Sequence, residues 1–338
     1  MAPLFIVRDG TSTHDLAQQM TAHSGSKKAV YAALIGNLLI AVTKFVAAAT
    51  SGSSAMLSEG IHSLVDTTNE LLLLYGMRRA ARPPDLAQPL GYGREIYFWS
   101  FIVALLIFSL GAGVSFYEGV LHMRSPMAVE DTGVTYLVLG LSAVFEGISW
   151  WVAFREVWRR KGRKTLLAAV RESKDPTTFT VLFEDSAALL GLLIAFAGIL
   201  AAELTGIPEF DGAASIGIGL VLACTAIFLA RETKSLLLGE PASSDLESAM
   251  LKVADGHPAV HRANGVISIH LGPRQVVAAL SLEFHDRLAA PEIEQCVAAI
   301  ERTLKEQHPQ ITTLFVKPQT ADQWHQRRQR LEANTAPD

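Results

Sequence analysis

Residues 54–78 read SAMLSEGIHSLVDTTNELLLLYGMR, and the fold follows from what this stretch has to do. It is long and apolar enough to cross a bilayer, for which about 20 residues rising about 1.5 Å each suffice. It also holds Glu59, His62, Asp66, Asn69 and Glu70. At a helical turn of about 100° per residue, these five fall within an arc of roughly 100°. An ionisable group at bilayer depth costs at least about 2.5 kcal/mol, so such a stripe must face protein, water or an ion. A buried hydrogen-bonded helix contact accounts for a lone His or Asp; five polar groups on one face point to function. His62 and Asp66 stand one turn apart on the same side, an imidazole and a carboxylate that suit a divalent metal such as Zn2+.

Outward from this stretch the chain divides by composition. Half of its residues are hydrophobic, and these concentrate before about residue 238. Six apolar segments are expected near 28–50, 54–78, 95–121, 133–155, 177–202 and 211–231. The short turn Ser51-Gly52-Ser53 makes the first two antiparallel neighbours. Ionisable residues recur in the others: Lys44 in the first beside Asn37, Glu118 in the third, Glu146 in the fourth, Glu184 and Asp185 in the fifth. The sixth carries Gly212, Gly217 and Gly219, small residues that permit close helix contact. The expected class is an α-helical membrane protein. Residues 1–27 form a polar tail, and residues 28–238 form a domain of six transmembrane helices.

The start, MAPLFIVRDGTSTHD, has no basic region ahead of its short apolar run and does not read as a signal peptide. Lys and Arg fall on alternate connections. Arg8, Lys27 and Lys28 precede the first segment, and Arg78, Arg79, Arg82 and Arg94 follow the second. Arg155, Arg159, Arg160, Lys161, Arg163, Lys164, Arg171 and Lys174 follow the fourth, whereas the other connections hold only Arg124. This bias places both termini in the cytoplasm. Short loops and the lack of a targeting segment favour a bacterial inner membrane. The basic run serves topology; without interleaved aromatics on a separate soluble module it does not mark a nucleic-acid site.

After Leu238 the pattern becomes that of a small soluble domain, residues 239–320. Ser244–Asp255 is helical, with Ser244 or Asp245 able to cap it. Val266–Leu271 and Val276–Phe284 read as strands around Gly272-Pro273, Pro291–Gln307 as a helix and Ile311–Val316 as a last strand. The order is αββαβ. Residues 321–338 are expected to be a loose tail. Cys224 and Cys296 form no disulfide or zinc framework, and His257, His261, His270 and His285 match no compact metal site.

In the fifth segment, Glu184 and Asp185 are adjacent and therefore point about 100° apart. One of them could complete a site with His62 and Asp66 while the other meets a neighbouring helix. An imidazole among the ligands turns the preference from Mg2+ or Ca2+ toward Zn2+, Fe2+ or Mn2+.

These residues carry a resemblance. The motif His62-Ser-Leu-Val-Asp66, the Gly52-Ser53 turn, Asp185 in the fifth of six helices and a small αβ domain resemble the cation diffusion facilitator family. The strings SEGIHSLVDTTNELLL, Glu172-Ser-Lys-Asp-Pro176 and Glu184-Asp-Ser-Ala-Ala-Leu-Leu-Gly191 are similar to the branch containing the mitochondrial human zinc transporter. The resemblance implies a homodimer in the lipid bilayer that exports a divalent metal from the cytoplasm in exchange for protons. The metal would be cargo, with no resident cofactor, and the αβ domain would pair the two copies. It also implies His62, Asp66 and Asp185 as metal ligands, with Glu184, water or another residue as a fourth.

The chain departs from the family's pattern at several positions. Val181 stands where the fifth helix usually supplies a first ligand. In the loop after the second helix, some members bind Zn2+ through an Asp and two His; here Asp85 is kept but Gln88 and Tyr92 stand at the His positions. Asn264 replaces a usual His near the first strand, and Phe315-Val-Lys317-Pro318 replaces a usual ligand pair at the last. The αβ domain is therefore expected to bind no metal. Two other functions compete with transport. An intramembrane metal-dependent hydrolase would use the same groups to activate water, but HExxH is absent and no nucleophile stands beside a second cluster. The other is a non-transporting membrane metal sensor or scaffold. The expected function is a transporter, not an enzyme.

Overall fold

The computed structural model describes residue 34 and residues 36–126, 132–160, 165 and 173–333. The tail expected over 1–27, the basic residues Lys161, Arg163, Lys164 and Arg171, and residues 334–338 lie outside the described residues.

Six helices come first among the described residues. They are α1 (Gly36–Ser51), α2 (Ser54–Ala80), α3 (Glu95–Arg124), α4 (Thr132–Arg160), α5 (Pro176–Thr205) and α6 (Glu209–Leu238). Within α3, Ile107–Ala112 winds as a π-helix. Four of them, α3 to α6, are long and apolar enough to cross a membrane. The fifth long helix, α2, has 27 residues but carries the polar stripe. α1 stops because Gly52 takes a φ of +68°, a left-handed conformation open to a residue without Cβ. The Gly52 N–H then closes on the Ala48 carbonyl at 2.9 Å.

The chain falls into two compact units. One gathers Met1–Glu70, Ser109–Glu146 and Ala188–Leu222. In it, α3 and α6 touch backbone to backbone. A Cβ placed on Gly119 would lie 2.7 Å from the Ile216 nitrogen, and one on Gly212 would lie 3.1 Å from the Gly119 carbonyl. The small residues anticipated in the sixth helix thus permit close approach. Large apolar side chains such as Leu137, Leu141 and Val144 on α4 are left outward, as suits a lipid-facing surface.

The other unit gathers Leu71–Phe108, Gly147–Ala187 and Ala223–Asp338. Here Trp99 of α3 packs on Gly76 of α2 and edge-on to Tyr75, and Arg79 bonds Glu95. After α6 come α7 (Ser244–Asp255), β1 (Val260–Gly272), β2 (Gln275–Phe284), α8 (Ala290–Gln307), β3 (Ile311–Pro318) and α9 (Ala321–Ala333). The sheet order is β1-β2-β3. β1 pairs antiparallel with β2, and β2 pairs parallel with β3. The core follows directly from the two periodicities. Leu246, Met250 and Ala254 line one face of α7, and Cys296, Ile300 and Leu304 one face of α8. Val276, Ala278, Leu280 and Leu282 alternate along β2.

Three local expectations are corrected. The α7 cap is Ser243, whose side chain accepts from the Leu246 N–H, not Ser244 or Asp245. β1 begins six residues early, at Val260, because backbone pairing with β2 continues through the polar run His261–Asn264. The end of the chain is not a loose tail throughout. Ala321–Ala333 is helical, with the Trp324 indole laid against Gly265 and the Ala321 N–H donating to Glu283.

Candidate metal centre

The start of α2 is held from another helix. Ser53 caps it by accepting the Met56 N–H at 3.1 Å. The carboxylate of Asp211, fully buried at the start of α6, accepts from the Ser54 N–H at 2.6 Å and from both serine hydroxyls. A carboxylate at a helix N-terminus also faces the positive end of the helix dipole. One turn on, Ser58 bonds Ser215 of α6. These contacts fix the rotation of α2 about its axis, and with it the direction of the stripe.

The stripe faces inward. Glu59, His62 and Asn69 are each no more than 1% exposed. His62 Nδ1 lies 3.4 Å from Asp66 Oδ1, and no hydrogen bond reaches either ring nitrogen of His62 among the described residues. A buried imidazole without a hydrogen bond is costly, and an imidazole nitrogen beside a carboxylate oxygen is a donor pair that suits a divalent cation. Glu70 accepts from Asn37 at 2.6 Å.

Sequence reasoning assigns no role to Lys44. Its side chain is fully buried and its ammonium donates to Glu59 Oε2 at 3.0 Å and to the Ser63 hydroxyl at 2.8 Å. Glu146 of α4 stands 3.9 Å from the same nitrogen. The available signal was a lysine within an apolar segment, facing carboxylates in two others; its partners come from tertiary packing.

His62 and Asp66 fall in one compact unit, Glu184 and Asp185 in the other. Asp185 accepts from the Ser149 hydroxyl of α4 at 2.7 Å, and Glu184 is buried. Among the described residues no three His, Cys, Asp or Glu side chains are gathered into a ready metal cluster; the pair His62–Asp66 is what the structure brings together.

Residues 30–238 match the family model described as the cation efflux transmembrane domain. The chain belongs to the cation efflux family. It is an integral membrane protein, mostly helical, with a small three-stranded domain at its C-terminal end. This cation efflux protein is 34% identical over 266 residues to the human protein named proton-coupled zinc antiporter SLC30A9, mitochondrial, covering 78% of this chain and 47% of that one. It is 32% identical over 265 residues to metal tolerance protein C4 of Arabidopsis thaliana, covering 78% and 58%. With the cation-efflux pump FieF of Yersinia enterocolitica it shares 24% identity over 299 residues, 87% and 93% of the two chains. The chain spans about half the length of the first of these curated relatives.

Elsewhere in this cation efflux protein, groups that could bind metal are engaged internally. Asp85, in the loop after α2, accepts from the Ala87 and Gln88 N–H groups at 2.9 and 2.8 Å and from the Tyr92 hydroxyl at 2.7 Å. The Tyr92 bond, more than any other cause, holds the Asp85 carboxyl below the usual range. In the αβ domain, His257 Nδ1 lies 3.2 Å from Cys296 Sγ, and His270 Nδ1 the same distance from the Gly272 carbonyl.

Proposed function

We propose that this protein carries a divalent metal ion, Zn2+ before Mn2+ or Fe2+, across a membrane in exchange for protons. The observation that carries the reading is the His62–Asp66 pair, in which His62 is buried and its ring nitrogens meet no hydrogen bond among the described residues. The names of the human and Yersinia relatives support it, and family membership favours transport over hydrolysis. Asp185 completes the site in this reading, with Glu184 or water as the fourth ligand. Metal binding requires a neutral imidazole and an ionised carboxylate, so it releases protons and weakens as pH falls. Exchange then needs only that metal and protons share ligands and that the site opens to one side at a time.

The same reading makes α1 to α6 six membrane-spanning helices, with both termini and the αβ domain in the cytoplasm. It takes the working form to be a homodimer and the membrane to be a bacterial inner membrane. Proteoliposomes loaded with a pH dye test the function. A Zn2+ gradient at clamped voltage should drive protons the opposite way, and Asp66→Ala should abolish both fluxes while the protein still inserts. Full transport by Asp66→Ala would eliminate the site, and Zn2+ flux without proton flux would defeat exchange.

A further inference from the structure

Lys44, Glu59 and Glu146 form a second ionisable group of residues, built from three helices and apart from the His62–Asp66 pair; the Lys44 and Glu59 side chains are fully buried and Glu146 is half-buried. Glu59 is fully buried. Its Oε2 takes the Lys44 ammonium, while its Oε1 is buried without a hydrogen-bond partner among the described residues. The charged groups facing it are Lys44 from α1 and Glu146 from α4. α5 meets it with Gly191, where a Cβ would collide with Oε1, and Ile218 of α6 lies beside that glycine. One ammonium thus serves two carboxylates, the nearer at 3.0 Å and the farther at 3.9 Å. With both ionised the group carries one net negative charge around a fully buried ammonium and a fully buried carboxylate, a costly state. One added proton makes it neutral.

We infer that Glu59 is a proton-binding site of its own, separate from the metal ligands. When Lys44 pairs with Glu59 the carboxylate stays ionised. When the ammonium moves toward Glu146, Glu59 loses its counter-charge and takes one proton, an O–H bond forming at Oε1. The ammonium keeps its three protons throughout, so the exchange is one proton in or out. Such a site lets the exchanger move a proton that metal does not displace from its own ligand. That use rests on the transport reading; the binding itself does not.

The test therefore needs no metal and no transport. Infrared difference spectra of the metal-free full-length protein in detergent, between acid and alkaline pH, should contain the carbonyl stretch of a buried protonated carboxyl. Glu59→Gln should remove that band, whereas Asp66→Asn should leave it. Glu146→Gln keeps Glu59 and removes the competing carboxylate, so Lys44 pairs with Glu59 alone and the band should survive only at lower pH than in the native protein. This second variant keeps the inference testable if Glu59→Gln fails to fold. A band indifferent to Glu59→Gln, a band unmoved by Glu146→Gln, or no such band in the native protein overturns it. Loss of metal transport in Asp66→Asn with the Glu59 band intact would leave this site standing while marking the metal pair as essential.

Discussion

At the scale of single residues, the buried lysine decides most. Lys44 has no exposure and its charge is answered by Glu59 and by the Ser63 hydroxyl. Removing one member of a buried pair strands the other, at about 3–5 kcal/mol, whereas replacing both with apolar groups is far milder. Lys44→Met should therefore lower the thermal midpoint of the detergent-solubilised protein clearly. Lys44→Met with Glu59→Met should recover much of that loss, and equal melting of all three proteins would deny the pair a structural role. The sequence was legible where chemistry and local spacing coincide. His62 and Asp66 stand out because they interrupt an apolar stretch one turn apart. Lys44 does not, because a single lysine in an apolar helix looks the same whether it meets one carboxylate, two or none.

At the scale of elements, most boundaries were readable from hydrophobic periodicity, and the misses share a cause. β1 runs back through His261, Arg262 and Asn264 because its hydrogen bonds go to the β2 backbone, which side-chain pattern does not report. The helix over 321–333 has hardly any apolar stripe to announce it, and one tryptophan on a glycine anchors it. The interhelical cap on α2 was equally silent, since Asp211 and Ser54 are far apart in sequence. Asp211→Ala should leave the Ser54 N–H and the Ser53 and Ser54 hydroxyls without their acceptor, costing on the order of 3 kcal/mol. Asp211→Asn, which keeps one carbonyl oxygen, should cost less, and unchanged melting in Asp211→Ala would remove the cap from the account. In β1, burial holds the His270 imidazole below its usual value, against the opposing hydrogen bond to Gly272. The unfolded chain then binds the proton more readily, so this contribution to stability is complete above about pH 6.5 and lost as pH falls through the lower folded value. Melts between about pH 7 and about pH 5 should fall less steeply in His270→Gln than in the native protein.

At the scale of the whole molecule, the alternation of Lys and Arg between connections sets an expected orientation. Single cysteines at Ser125 and Thr165 should label from opposite sides of the membrane in intact cells, and labelling of both from one side would overturn the topology. The loop between α2 and α3 bears on how such a protein relates to its surroundings. Its shape is fixed by Asp85 gripping Ala87, Gln88 and Tyr92, parts that are always present in the chain. A strut closed by its own atoms has the same length in a starved cell as in a flooded one. The geometry of that loop asks for no bound ion to hold it.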